Sequence, residues 1–142
     1  MAQVDFYILG HARPGGREHL ACRLAEKAWR SGYCVFIRTA NDGIASELDR
    51  LLWTYRDGSF VPHALATGAD PLDPILIGSM DEAPPDRCDL LINLANAPPD
   101  SCDRWQRIAE IADQEPESIA GARSRFRWYR DQGLKPDSHQ LE

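Results

Sequence analysis

The chain reads as an α/β protein: one domain built on an open, mostly parallel sheet with helices on both faces. Three observations predict this. Its first sixty residues alternate an apolar strand pattern with a helical one, strand, helix, strand, helix, which calls for parallel strands joined by right-handed crossovers. Tyr33–Arg38 is nearly continuous in apolar side chains, as a strand covered on both faces should be, and Pro74–Gly78 and Asp89–Leu94 read as a short strand and a buried one. And 142 residues suffice for one such sheet with its helices but leave no comfortable room for a second domain.

Each element follows from local chemistry. Val4–Leu9 is β-branched and aromatic and stops at Gly10, so it is the first strand. From Arg17 to Arg30, Leu20, Ala21, Leu24, Ala25 and Ala28 form an apolar stripe that Gly32 closes. Tyr33–Arg38 is the second strand. Ile44, Leu48, Leu51, Leu52 and Tyr55 recur at helical spacing behind Asn41 or Asp42, whose side chains can cap a helix from Asp42 to Tyr55. Gly58 and Pro62 end that helix and carry Phe60 outward. Ala64 to Pro74 reads as loop and Ala83–Asp86 as a turn. Trp105, Ile108, Ala109 and Ala112 predict a helix reaching Gln114, and Pro116 opens a last helix that runs to Gln132 and is capped by Gly133. Residues 1–133 form the domain, and Leu134–Glu142 reads as a frayed polar tail.

Composition bounds the function. Charged residues are 27% and hydrophobic ones 43%, the make-up of an ordinary folded protein. No basic and apolar leader and no run of eighteen apolar residues occurs, so neither export nor membrane spanning is indicated. Cysteines 22, 34, 88 and 102 are isolated, as a reducing cytoplasm tolerates, and read as small core residues. His19 and Cys22 are the only pair at metal-ligand spacing, too little for a site, and no metal or cofactor is expected.

The turn Gly10–Arg17 lies where an open α/β sheet usually takes a ligand. It matches neither phosphate motif. A P-loop needs Lys and Ser or Thr where Gly16 and Arg17 stand, and Gly10, Gly15 and Gly16 miss the dinucleotide spacing. The fold is therefore expected to be Rossmann-like without a nucleotide site, and a small nucleotide- or phosphate-binding enzyme using this turn is the alternative reading. No acid/base or nucleophile set assembles elsewhere. His63 reads as a hydrogen-bonded structural group.

Two surfaces stand out. Trp53 points off the stripe defined by Leu48 and Leu52, and with Phe60 it is either a lid on the core or half of a docking surface. Between Arg123 and Lys135 the chain holds a local excess of four positive charges, although its net charge is −6. Arg123, Arg127 and Arg130 fall at helical steps beside Ile119 and Phe126, which suits a ligand both acidic and hydrophobic. A nucleic acid, or no ligand beyond the helix dipole, are the competing readings, and a net acidic chain disfavours the polyanion.

Together Ala28-Trp-Arg-Ser-Gly32, Leu48-Asp-Arg-Leu-Leu-Trp53, Ser59-Phe-Val-Pro-His63, Asp89-Leu-Leu-Ile-Asn-Leu94 and Arg125-Phe-Arg-Trp-Tyr-Arg130 with Gly133 resemble the chi subunit of bacterial DNA polymerase III, in the same order from Phe6 to Gly133. The resemblance implies a non-catalytic accessory of the clamp-loader assembly with no cofactor and little direct nucleic-acid binding. It implies that Trp53, Phe60, Val61 and Pro62 dock the psi subunit or an equivalent clamp-loader protein. It further implies that Ile119, Arg123, Phe126, Arg127 and Arg130 hold the acidic C-terminal tail of single-stranded DNA-binding protein. The sequence departs from the family pattern at Ile119, where a basic residue is expected, and the loop from Ala66 to Asp81 does not align with it clearly.

Overall fold

The computed structural model describes residues 2–55, 62–65, 73–79, 89–100, 102 and 104–141. Among these residues seven strands, all parallel, form one open sheet in the order β3-β4-β2-β5-β6-β1-β7. They are β1 Gln3–Leu9, β2 Val35–Thr39, β3 Ala64–Leu65, β4 Ile75–Ser79, β5 Leu90–Asn93, β6 Arg107–Ala112 and β7 Asp137–Leu141. The helices among the described residues are α1 Gly16–Arg30, α2 Asp42–Thr54 and α3 Pro116–Asp131.

The caps predicted at Asn41, Gly32 and Gly133 form. The Asn41 side chain accepts a hydrogen bond from the Ile44 amide at 2.9 Å and opens α2, satisfying one of the donors a first turn leaves over. Beyond α1 and α3 the chain turns at Gly32 (φ 88°) and Gly133 (φ 87°), a left-handed conformation that side chains with a Cβ resist.

The helices divide the apolar interior in two. On one face Leu20, Ala21 and Ala25 of α1 and Leu48 and Leu52 of α2 pack onto Val35, Ile37, Ile77 and Ile92. On the other, Ala122 and Tyr129 of α3 join Phe6, Phe36, Leu91, Trp105 and Ile108. Each fully buried large aliphatic among these stabilises the fold by roughly 2 kcal/mol.

Three expectations fail. Most of the helix predicted from Trp105 to Gln114 is strand β6, inserted between β5 and β1; Trp105 precedes it, stacked on Phe36 with ring centroids 6.3 Å apart. Ile108, Glu110 and Ile111 are wholly buried, and a strand covered on both faces shows no period-two alternation to betray it. The segment read as a frayed tail is instead edge strand β7, in register with β1 from Asp5↔Asp137 to Leu9↔Leu141. The loop expected from Ala64 begins with β3, which pairs with Leu76 and Ile77. Gly58, Phe60, Val61 and the turn 83–86 lie outside the described residues.

β7 is tied down by side chains. The buried Asp5 carboxylate accepts from Nε2 of His139 at 2.9 Å and from Nη2 of Arg107 at 3.2 Å, and the His139 ring stacks on Tyr7 at 5.1 Å. Burial alone would raise the Asp5 pKa, but His139, Gln3 and Arg107 together hold it below the ordinary aspartate value.

Candidate interaction surfaces

Helix α3 turns Ala122, Arg125 and Tyr129 inward at steps of three and four, which places Arg123, Arg127 and Arg130 in solvent. Ile119 and Phe126 are half-buried between the two sets. Phe126 leans on Phe6 of β1, ring centroids 5.2 Å apart. A groove of about 300 Å³ runs here, lined by Ile119, Arg123 and Phe126 from α3, Ile8 from β1, and Ser138 and Gln140 from β7. Three of the five predicted α3 residues therefore share one groove. Arg127 and Arg130 stand on the exposed helix face but do not line it. The β7 wall could not be read from sequence, because Asp137-Ser-His-Gln-Leu141 carries one apolar residue and no period.

Arg125 leaves the predicted cationic surface altogether. It is 4% exposed, and its Nε donates to Glu110 Oε1 at 2.8 Å. The other Glu110 oxygen accepts from the Tyr129 hydroxyl at 2.6 Å and from Asn93 Nδ2 at 2.9 Å. Burial pushes the Glu110 carboxyl up from its ordinary value, opposed by Arg125, Asn93 and Tyr129. Burial, and then Glu110 itself, push Tyr129 up as well. The network extends outward: Asn93 Nδ2 and Arg38 Nη1 both donate to the Ala97 carbonyl, at 3.0 and 2.8 Å. It bolts α3 and the turn after β5 to the central strands. Gly121 belongs to the same fit, since a Cβ there would sit 2.9 Å from Arg125 Nη1.

On the opposite face, Trp53 near the end of α2 is 48% exposed. It borders a shallow depression with Glu47, Arg50 and Leu51. His63 lies against it, ring centroids 4.6 Å apart, and donates through Nε2 to the Asp49 carbonyl at 3.0 Å. That is the structural role read from sequence, and it fixes where the chain re-enters next to Trp53. Pro62 is half-buried; Phe60 and Val61 lie outside the described residues.

The glycine turn before α1 makes hydrogen bonds within the protein. Gly15 adopts φ 75° and Gly16 N donates to the Arg13 carbonyl at 3.0 Å. Arg17, where a P-loop has its hydroxyl residue, reaches across to the Leu94 carbonyl at 3.0 Å. Gly16 is packed so closely on His11 that a Cβ would meet its ring at 3.1 Å. Burial, with Glu18 nearby, pushes the Cys22 thiol up to about 12, which disfavours the thiolate a metal would require. Cys102 is also buried and Cys34 half-buried, while Cys88 lies outside the described residues. Among the described residues no helix is long and apolar enough to cross a membrane.

These features define the class: a single α/β domain of Rossmann-like type on an all-parallel seven-stranded sheet. The same fold occurs in solved structures of phage T4 UvsW (TM-score 0.68, 7% identity) and of yeast Dbp5 bound to RNA and ADP BeF3 (TM-score 0.65, 9% identity). Nearly all of this chain, 99% in each case, superposes on 42% and 41% of those chains, and at such identity the likeness is one of fold. Sequence comparison goes further, and the chain belongs to the DNA polymerase III chi subunit (HolC) family, whose model matches residues 1–137. It is 43% identical to DNA polymerase III subunit chi of Pseudomonas aeruginosa, over 99% of this chain and 98% of the relative. The Haemophilus influenzae and Escherichia coli subunits are 35% and 33% identical, each over more than nine-tenths of both chains. The chain is thus an accessory subunit of the replicative DNA polymerase III complex.

Proposed function

We propose that this chi-family protein is a non-catalytic adaptor with two docking faces. One, centred on Trp53 with Pro62, takes the psi subunit or an equivalent clamp-loader protein, and the family resemblance assigns Phe60 and Val61 to the same partner. The other, the α3 groove, takes the acidic C-terminal tail of single-stranded DNA-binding protein. Arg123 grips carboxylates, an apolar tail side chain enters beside Ile119 and Phe126, and Arg127 and Arg130 add long-range attraction along the helix. The observation that carries this reading is spatial: an exposed tryptophan and a groove with a cationic rim stand on opposite faces of one sheet. Two partners can then be held at once without competing.

Where the family resemblance leads one to expect a cation, Ile119 offers an apolar wall. The tail is therefore expected to bind with more apolar contact and fewer ion pairs. Calorimetry with an acidic, Phe-containing tail peptide tests the second face, and its affinity is expected to fall as salt rises, to be abolished in Arg123→Glu and to be weakened in Arg127→Glu. Heat of binding indifferent to both changes rules the groove out. ATP and NAD titrated beside the peptide discriminate the enzyme reading, because a saturable nucleotide signal would favour the Gly10–Arg17 turn instead.

A further inference from the structure

β7 ends the sheet. Its residues 137–140 are exposed, and among the described residues no strand pairs with its outer edge. Such an edge leaves a row of backbone donors and acceptors open, a template for another extended chain.

The surroundings of this edge are specific. On the α3 side, where Ser138 and Gln140 lie in register with Phe6 and Ile8, is the groove already described, with Arg123 at its rim. On the α1 side, where His139 and Leu141 lie in register with Tyr7 and Leu9, is a second cleft of about 730 Å³. Its apolar lining includes Tyr7, Leu24 and Leu141, and Arg23, Lys27 and Arg30 line it from α1 at helical steps of four and three. All three cations are exposed; Arg30 also reaches Glu26 at 3.3 Å. The edge therefore runs between two apolar grooves, each with a cationic rim.

We infer that β7 is an acceptor strand: an acidic peptide adds to its free edge as an eighth strand. Successive side chains of a strand point to opposite faces, so two consecutive apolar residues would enter the two grooves, one each, while flanking carboxylates meet Arg23 and Lys27 on one side and Arg123 on the other. Charge selects this occupant over a second copy of the chain. Antiparallel pairing of two β7 edges about a two-fold axis would bring each cationic stripe against its own duplicate, and like charges so placed repel. The inference rests on the α3 groove taking an acidic tail, and adds the backbone geometry and the α1 cleft.

The probe is the blocked hexapeptide Asp-Asp-Phe-Leu-Asp-Asp, titrated into the full-length protein and followed by fluorescence anisotropy. Arg23→Glu with Lys27→Glu is expected to weaken it by about tenfold. N-methylation of the peptide amides in one alternating register is expected to do the same, whereas methylation in the other register leaves affinity intact, because only one set of amides faces β7. Binding lost in Arg123→Glu but unmoved by the α1 pair and by either methylation overturns the acceptor strand and keeps the α3 groove. No binding of the unmodified peptide overturns both. A single-stranded oligonucleotide that binds more tightly than the peptide at the same salt overturns the assignment to a protein partner.

Discussion

Arg123 and Arg125 stand two positions apart on α3 and do unlike work. Arg125 neutralises a carboxylate with 0% exposure in the centre of the sheet. Arg125→Ala would leave the Glu110 carboxyl in the interior without its counter-charge, and we expect it to cost about 3 to 5 kcal/mol in urea unfolding. Replacing both partners by apolar groups, Arg125→Met with Glu110→Met, should recover much of that loss, since the burden is the unpaired charge and not the missing pair. Arg123→Ala removes an exposed side chain and should change stability by less than about 0.5 kcal/mol. Trp53 is the corresponding case on α2. With nearly half its surface exposed, Trp53→Ala should leave the unfolding midpoint nearly unchanged while weakening the proposed docking of psi by about 2 kcal/mol or more. A steep fall in the midpoint would instead make it the lid over His63.

At the scale of elements, the hold of β7 on the domain is expected to weaken in acid. The Asp5 carboxylate, with its pKa held below the ordinary aspartate value by His139, Gln3 and Arg107, binds fewer protons folded than unfolded. Its contribution is therefore fully present above the unfolded aspartate pKa of about 4 and is lost as pH falls through the folded value. Hydrogen exchange should show β7 losing protection before β1 and β6 on acidification, and Asp5→Asn should show early loss of β7 at neutral pH. Equal protection of β7 and β6 throughout would mean that backbone pairing with β1 holds it without the side chains. β6 teaches a different point. Its apolar positions fit a helix as well as a strand, and only its insertion between β5 and β1 decides the matter.

For the whole molecule, charge is distributed against the net sign: the chain totals −6, yet α1 and α3 both carry exposed cationic stripes. Long-range repulsion of polyanions and short-range attraction of compact acidic segments then coexist. Affinity for single-stranded DNA should accordingly be weak at 150 mM salt, a test made by titrating an oligonucleotide beside the tail peptide.

Local chemistry by itself determined the order of the first four elements, the Asn41 cap, the glycine stops after α1 and α3, the outward-facing Trp53 and the exposure of Arg123, Arg127 and Arg130, because caps, turns and helical periods act over a few residues. The tertiary structure alone decided that 107–112 is a strand, that 137–141 completes the sheet, and that Arg125 is a buried strut while its neighbours are surface. Those outcomes depend on which segments meet across the fold. A strand covered on both faces, an edge strand of polar residues and a cation sharing a buried carboxylate owe their state to partners many positions away, about which the local pattern is silent.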